Sequence, residues 1–338
     1  MNVPAIVAAC AAALFLLLCA TRRGFVSPPT GFLVRLSALL AALKPVPREV
    51  AARRLKNDAD IQIVSAKPRG AIRAQDASIE GPDTAIALRL YRPAESEPDR
   101  AILFFHGGGW VLGGIESADA LARMLCLESG ALVVSADYRL APESAFPAAV
   151  DDALAVYRWL RSEIEDGRLC ASRGAAQRIF VSGDSAGGNL AAALCISARD
   201  GKLQPPAGQI LFYPVVDISR TDRPSYHDFA TGFLLDREDM EWFISIYAPD
   251  RASRTDCRAS PLLAPDHSGL PPALVFTAGF DVLRDEGEAY VEALRRAGVR
   301  VEARRMRGLV HGFMSMNRFV PAARRCAAIA GAFVKGAR

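Results

Sequence analysis

The chain has 338 residues, 51% of them hydrophobic and 23% charged, with a formal net charge of +4. This is the composition of an ordinary globular protein, long enough to bury a large core as one big domain or a domain with a lid. The charge is too small and too dispersed for a nucleic-acid binder, and seven cysteines without C-x-x-C or His/Cys spacing read as reduced, mostly buried thiols and not as a metal or disulfide framework.

The first element is "VPAIVAACAAALFLLLCA", Val3 to Ala20, 18 residues without a charge, followed at once by Arg22-Arg23. That length just suffices to cross a bilayer. It lacks the basic start and small-residue cleavage site of an export signal. Residues 1–23 are therefore expected to be a membrane anchor, with the basic pair favouring a cytoplasmic body. A cleaved signal and a helix folded against the body stand as alternatives. After the break at Pro28-Pro29 and Gly31, Phe32–Leu43 and Arg48–Leu55 read as two short amphipathic helices. Basic pairs such as Arg53-Arg54 and Arg304-Arg305 are expected to be solvated faces.

Beyond residue 80 the pattern alternates. Apolar runs predict strands at Ile86–Tyr91, Ala101–Phe105, Leu132–Ala136, Ile179–Ser182, Gln209–Tyr213, Ala273–Thr277 and Val299–Arg304. Helical patterns fall between them at Ala118–Glu128, Ala148–Ile164, Leu190–Arg199 and Glu286–Ala297. Strands alternating with helices of that length imply an α/β fold, a mostly parallel central sheet with helices on both faces. The alternation lapses between Asp217 and Leu262, a polar, turn-rich segment with one amphipathic helix, Asp236–Ala248. So long an excursion in a compact domain reads as a lid.

The chemistry concentrates at four places. In "RIFVSGDSAGGNLAAAL" (Arg178–Leu194), a strand passes into a helix across G-x-S-x-G, which puts Ser185 on a tight corner between Gly183 and Gly187. A capping serine at an ordinary strand–turn–helix junction gives the same local pattern, so the motif needs partners. "FFHGGGWVLGG" (Phe104–Gly114) follows a strand with three glycines, whose bare amides can approach a developing oxyanion. His106 and Trp110 flank that loop, and His106 is expected to prop it. Asp281 in "AGFDVLRDEG" lies at a strand's carboxyl end, where open α/β sheets carry their sites. Its neighbours Asp285 and Glu286 are accounted for as negative charges at a helix start. His311 in "GLVHGF" lies in the loop after the last strand, whereas His227 and His267 belong to the insertion or its exit. Ser185, Asp281 and His311 thus fall in the chain order of an α/β-hydrolase triad. No Walker loop, H-E-x-x-H or complete G-x-G-x-x-G is present, so no metal and no cofactor is expected.

"HGGGW", "YRLAPESAFPAAVDD" (Tyr138–Asp152), "GDSAGGNLA", "DVLRDEG" and "HGF" resemble the hormone-sensitive-lipase-like esterases, the bacterial family IV carboxylesterases, from around residue 45 to the C-terminus. One departure is Val282, where the family more often has proline after the acid. The resemblance implies an α/β-hydrolase fold with a helical cap. It implies Ser185 as nucleophile, His311 as base, Asp281 as orienting acid, and the amides of Gly108, Gly109 and Ala186 as an oxyanion hole. Glu143 and Asp151 are read as bracing loops. On this reading residues 24–60 are N-terminal cap helices, 61–216 and 263–338 the two parts of the catalytic core, and 217–262 the cap insertion. Phe229, Phe233, Leu234, Trp242 and Phe243 of the cap are candidates to line an acyl pocket. The expected partner is a small-molecule ester of short-to-medium acyl chain; an amide substrate served by the same triad stays open.

Overall fold

Apolar runs with no solvent-facing alternation must be covered on both sides, which is the condition of a parallel sheet with helices on each face. The computed structural model, which describes residues 20–21, 24–28, 30–35, 47, 49–170 and 172–336, gathers those runs into one eight-stranded sheet. Its strands are β1 (Ile72–Ile79), β2 (Ile86–Pro93), β3 (Ala101–Phe105), β4 (Leu132–Asp137), β5 (Ile179–Asp184), β6 (Gly208–Phe212), β7 (Ala273–Phe280) and β8 (Val301–Val310). Across the sheet they run β8-β7-β6-β5-β3-β4-β2-β1. Only β2 is antiparallel to its neighbours β1 and β4; every other pair is parallel. The central strands β3 and β6 are buried at every position.

Among the described residues from 49 onward the helices are α1 (Val50–Val64), α2 (Ile115–Ser129), α3 (Ala148–Glu165), α4 (Ala186–Asp200), α5 (Pro224–Asp228), α6 (Arg237–Tyr247), α7 (Arg284–Arg296) and α8 (Pro321–Gly336). Two of the larger elements escaped the sequence pattern. Strand β1, "IRAQDASI", is an edge strand exposed along most of its length, so no apolar alternation marks it. Helix α8 is alanine-rich and follows the last apolar run, and it buries Ala323, Cys326, Ala327, Ala330 and Val334. The expected strand ends also fell short, since β7 continues to Phe280 and β8 runs to Val310. These last residues deliver the chain to the site.

The insertion after residue 217 contains α5, α6 and the tight turns Ala252–Thr255 and Pro261–Leu263, with no strand. At the N-terminal side, residues 30–35 are helical and α1 begins at Val50, where the Glu49 carboxylate accepts the amides of Ala51 and Ala52 at 3.0 and 2.8 Å. Helix α1 runs on to Val64, across the boundary expected at residue 60. The apolar run Val3–Ala20 lies outside the described residues, apart from Ala20 in a small ribbon with Gly24–Phe25. Among the described residues no helix is long and apolar enough to cross a membrane. Cys126, Cys170, Cys195 and Cys326 are buried free thiols, as the cysteine spacing implied.

The arginine pairs divide. Arg304 and Arg305 are about half exposed and paired with Glu302 and Glu288 on the surface, as expected. Arg53 and Arg54 are not a solvated face: their side chains are only 12% and 29% exposed. Their partners lie 57 to 186 residues away, out of reach of any local pattern.

Candidate active site

Strand β5 carries the chain to Asp184 and α4 starts at Ala186, leaving Ser185 alone at the corner with φ 56° and ψ −119°. A non-glycine residue held there stores about 1–3 kcal/mol of strain, and persists only when its surroundings fix it. Here they do. The Ser185 amide donates to Phe212 O at 2.9 Å, and Ser185 O accepts the amides of Asn189 and Val215 at 3.1 and 3.2 Å. Buried Asn189 in turn donates to Val215 O and Ala259 O. The flanking glycines are required by close approach: a Cβ on Gly187 would sit 2.0 Å from Phe105 O, and one on Gly183 would sit 2.2 Å from the Gly187 carbonyl.

The other two expected groups meet this serine. His311, directly after β8, has Nε2 2.9 Å from Ser185 Oγ and Nδ1 2.8 Å from Asp281 Oδ2. Asp281, directly after β7, is buried, and its Oδ1 accepts the Leu283 amide at 2.9 Å. Tyr213 packs its ring 4.7 Å from the imidazole, and its hydroxyl accepts the Met314 amide, which fixes the loop after His311. A serine hydroxyl, an imidazole and a carboxylate in this line can pass a proton from oxygen to nitrogen while the carboxylate holds the ring.

The glycine loop lies beside them. Gly108, Gly109 and Trp110 all have positive φ, at 116°, 61° and 61°. The loop closes on itself through the Val111 and Leu112 amides, which both donate to Gly108 O, at 3.1 and 2.8 Å. At Gly109 any side chain is excluded, because a Cβ would lie 2.3 Å from the Phe243 ring of α6. Ala186, the third expected donor, is the first residue of α4, where amides lack intrahelical acceptors. His106 behaves as a prop: its ring stacks on Tyr138 at 4.3 Å and Nδ1 lies 2.8 Å from Gly107 O, with burial holding the imidazole below its ordinary value.

Several functional contacts were not foreseen. Asp184, the variable residue inside G-x-S-x-G, accepts the Gly107 amide at 2.9 Å and so joins the elbow to the glycine loop. Burial pushes its carboxyl up to about 6 against that hydrogen bond. Glu286 does lie in the first turn of α7, but its burial was not expected: it is fully buried, accepts the amides of Val216 and Asp217 at 2.9 and 3.3 Å, and is pushed by burial up to about 8. Asp285 does lie in the first turn of α7, and it also accepts the Ser225 amide of α5. Among the bracing acids, Glu143 holds Arg54, but Asp152 and not Asp151 grips Arg139.

The candidate pocket residues separate by position. Phe229 and Phe233 pack on Phe280, one residue before Asp281, with ring centroids 5.7 and 5.5 Å away. Phe243 sits on Gly109, whereas Trp242 carries the Arg53 guanidinium 4.2 Å over its ring. Leu234 is partly buried at a left-handed φ of 75°. His227 lies on α5, and His267 has Nε2 3.0 Å from Pro261 O, so neither belongs to the line through Ser185.

A family model described as an alpha/beta hydrolase fold matches residues 102–315. A carboxylic ester hydrolase, LipN, of Mycobacterium tuberculosis is 44% identical over 254 residues, 74% of this chain and 66% of that one. An ethyl acetate hydrolase of Pseudomonas putida is 41% identical over 239 residues, 70% of this chain and 73% of its own. Among solved structures, an ester-hydrolase from the Lake Arreo metagenome, complexed with a bipyridine phosphonate derivative, superposes with a TM-score of 0.85 at 38% identity, covering 92% of this chain and 98% of its own. The chain belongs to the α/β-hydrolase-fold family, among the hormone-sensitive-lipase-like carboxylesterases that its motifs resemble.

Proposed function

We propose that this chain hydrolyses carboxylic esters of short-to-medium acyl chain through an acyl-enzyme on Ser185. The observation that carries the reading is the unbroken line from Asp281 through His311 to Ser185 Oγ, at 2.8 and 2.9 Å. His311 Nε2 takes the hydroxyl proton as Oγ bonds to the carbonyl carbon and the carbonyl oxygen receives the electron pair. Asp281 keeps the imidazole in the tautomer that can accept, and stabilises it once charged. The amides of Gly108, Gly109 and Ala186 receive the oxyanion, each donor worth about 2.7–4 kcal/mol by analogy with other acyl-transfer sites. Collapse of the intermediate expels the alcohol, which leaves with the proton from His311. Water then gives a proton to the same nitrogen as its oxygen bonds to the acyl carbon; the bond to Ser185 Oγ breaks, the carboxylic acid leaves, and His311 returns the proton to Oγ.

As a carboxylic ester hydrolase the protein is expected to cleave p-nitrophenyl esters in preference to anilides and peptide amides presented in parallel. Ser185→Ala is expected to fold and to lose several powers of ten in rate, because the triad acts as a unit. An organophosphonate should label the wild type and leave that variant unmodified. Hydrolysis of p-nitrophenyl butyrate by Ser185→Ala near the wild-type rate would refute the assignment.

The cap sets substrate size in this reading. Phe229, Phe233 and Phe243 offer apolar contact near Asp281 and Gly109, and each methylene buried there is worth about 0.8 kcal/mol while room lasts. Efficiency should therefore peak at roughly four to six acyl carbons and then fall. A steady rise to long chains with activation at an oil–water interface would refute it. The uncharged run Val3–Ala20 supports membrane attachment with the catalytic body on the cytoplasmic side. The full chain should then fractionate with membranes, and a chain beginning at Gly31 should be soluble and active. An intact N-terminus on soluble full-length protein would refute attachment, and cleavage near Ala20 would make the run an export signal.

A further inference from the structure

We propose that Arg54 is a positioning residue for ester hydrolysis, holding the glycine loop in its oxyanion-accepting shape from the outer side. The proposal rests on the reading of Gly108 and Gly109 as oxyanion donors.

Helix α1 docks with little apolar burial, through Val50 and Val64 at its two ends. None of its side chains is buried, and Leu55 and Ile63 are 74% and 63% exposed. Polar ties add to this. Successive helix residues project about 100° apart, so the neighbours Arg53 and Arg54 reach two different targets. Arg53 faces the cap: its guanidinium lies over the Trp242 ring and pairs with Asp239, both of α6. Arg54 faces the glycine loop. Its Nε donates to Val111 O at 2.8 Å and its Nη2 to Ala141 O at 3.0 Å, while Glu143 binds the fork at 2.9 and 2.7 Å. All the polar hydrogens directed at these groups are on a planar group of fixed geometry, which a lysine cannot reproduce.

The contact reaches the proposed donors through peptide planes. Each plane is rigid, so fixing the carbonyl of one residue fixes the amide of the next. Holding Val111 O therefore orients the Leu112 amide, which donates to Gly108 O at 2.8 Å. Gly108 O shares its plane with the Gly109 amide. Trp110 O is held in the same way by the Ala141 amide at 2.9 Å, which orients the Val111 amide onto Gly108 O as well. Arg54 joins both anchors, since it binds Val111 O and the Ala141 carbonyl. The loop also has something to relax toward: Trp110 is a non-glycine residue at φ 61°, a conformation that persists only when its surroundings over-determine it. From the cap side Tyr247 stacks on Trp110 at 4.2 Å and Phe243 covers Gly109. The loop is thus pressed between α6 within and Arg54 without.

The test compares the wild type with Arg54→Met, Arg54→Lys and Lys56→Met in the full chain. Lys56 is a basic residue of the same helix that, among the described residues, pairs with Asp60 on that helix. Arg54→Met is expected to lower kcat on p-nitrophenyl acetate and butyrate roughly tenfold to a hundredfold, with KM within about threefold, since a misplacement of an ångström or less has that reach. Hydrogen exchange should quicken across residues 108–112. Arg54→Lys should recover part of the rate, and Lys56→Met should match the wild type. Wild-type kcat in Arg54→Met, an equal loss in Lys56→Met, a loss confined to KM, or unchanged exchange in the loop would each overturn the proposal. If Arg54→Met does not fold, Glu143→Gln decides, because Glu143 is 62% exposed and its loss frees the Arg54 fork; it should give a smaller fall in kcat with the same quickened exchange. The exchange readout needs no turnover, so failure of the Ser185 assignment would show separately, as activity surviving in Ser185→Ala.

Discussion

Replacing Asp281 by asparagine should disable the site with almost no change of shape, and the structure fixes the direction of the effect. Asp281 Oδ1 accepts the Leu283 amide at 2.9 Å and Oδ2 faces His311 Nδ1 at 2.8 Å. An asparagine has one oxygen and one NH2 to place at those two positions. Turning the NH2 toward Leu283 would oppose two donors in a buried place, at a cost of about 1–3 kcal/mol for each group left unmade. The oxygen therefore stays on Leu283 and the NH2 faces His311. Nδ1 must then accept, its proton moves to Nε2, and Nε2 can no longer take the proton of Ser185. Inversion of the tautomer in a comparable triad lowers kcat by about 10⁴, which is about 5.5 kcal/mol of barrier. The assay is kcat on p-nitrophenyl butyrate, with circular dichroism and Tm as checks that the fold is kept. Asp285→Asn, which removes a charge four residues away and leaves the acceptor for Ser225, should stay within about tenfold of the wild type. An Asp281→Asn enzyme within tenfold of the wild type would refute the tautomer argument, as would equal losses in the two variants.

Gly187→Ala should be severe, because the added Cβ meets Phe105 O at 2.0 Å and His106 O at 2.6 Å, backbone atoms of β3 and its exit that cannot swing aside. Overpacking of about 1–3 kcal/mol or more should lower Tm by several degrees and cut activity with it; an unchanged Tm by calorimetry would count against the fit of elbow to sheet. Glu286 sets a pH dependence of opposite sign to that of a salt-bridged acid. Its folded value of about 8 lies above its ordinary 4.5, so between those limits the folded state holds more protons and stability falls as pH rises, by up to about 1.4 kcal/mol per pH unit. Tm of the wild type should accordingly decline more from pH 5 to pH 8 than Tm of Glu286→Gln, and parallel curves would show that the carboxyl does not change charge there.

The parts that were legible in the sequence are those whose geometry is local. Gly183 and Gly187 around Ser185 announce a strand-to-helix corner because no other residue fits where α4 crosses Phe105 O. Asp281 and His311 follow directly on apolar runs, so their place at strand ends could be read from the runs alone. What could not be read is burial of charge. Asp184 and Glu286 look in sequence like any other acids, and only the packing of β5 against the glycine loop and of α7 against residues 216–217 shows them to be interior. Arg53 and Arg54 were misjudged for the related reason that their ring and carbonyl partners lie on distant segments. A charge pair at a surface and a charge pair at an interface have the same local signature.

The segment "DVLRDEG" shows how much of the site one turn of chain can organise. Its three acids lie within six residues and have three separate tasks. Asp281, at the end of β7, faces His311. Asp285, in the first turn of α7, accepts the Ser225 amide and holds α5. Glu286, rotated about 100° around the helix, turns inward to the amides of Val216 and Asp217, where the chain leaves the core for the insertion. The departure point of the insertion, its first helix and the carboxylate that faces His311 are therefore indexed to a single corner of chain. The first turn of α7 thereby ties α5, which leads directly to Phe229 on Phe280, to the strand end that presents Asp281 to His311. A buried carboxyl is tolerated at position 286 because a neutral acid still accepts both amides, and those two bonds fix where the insertion begins.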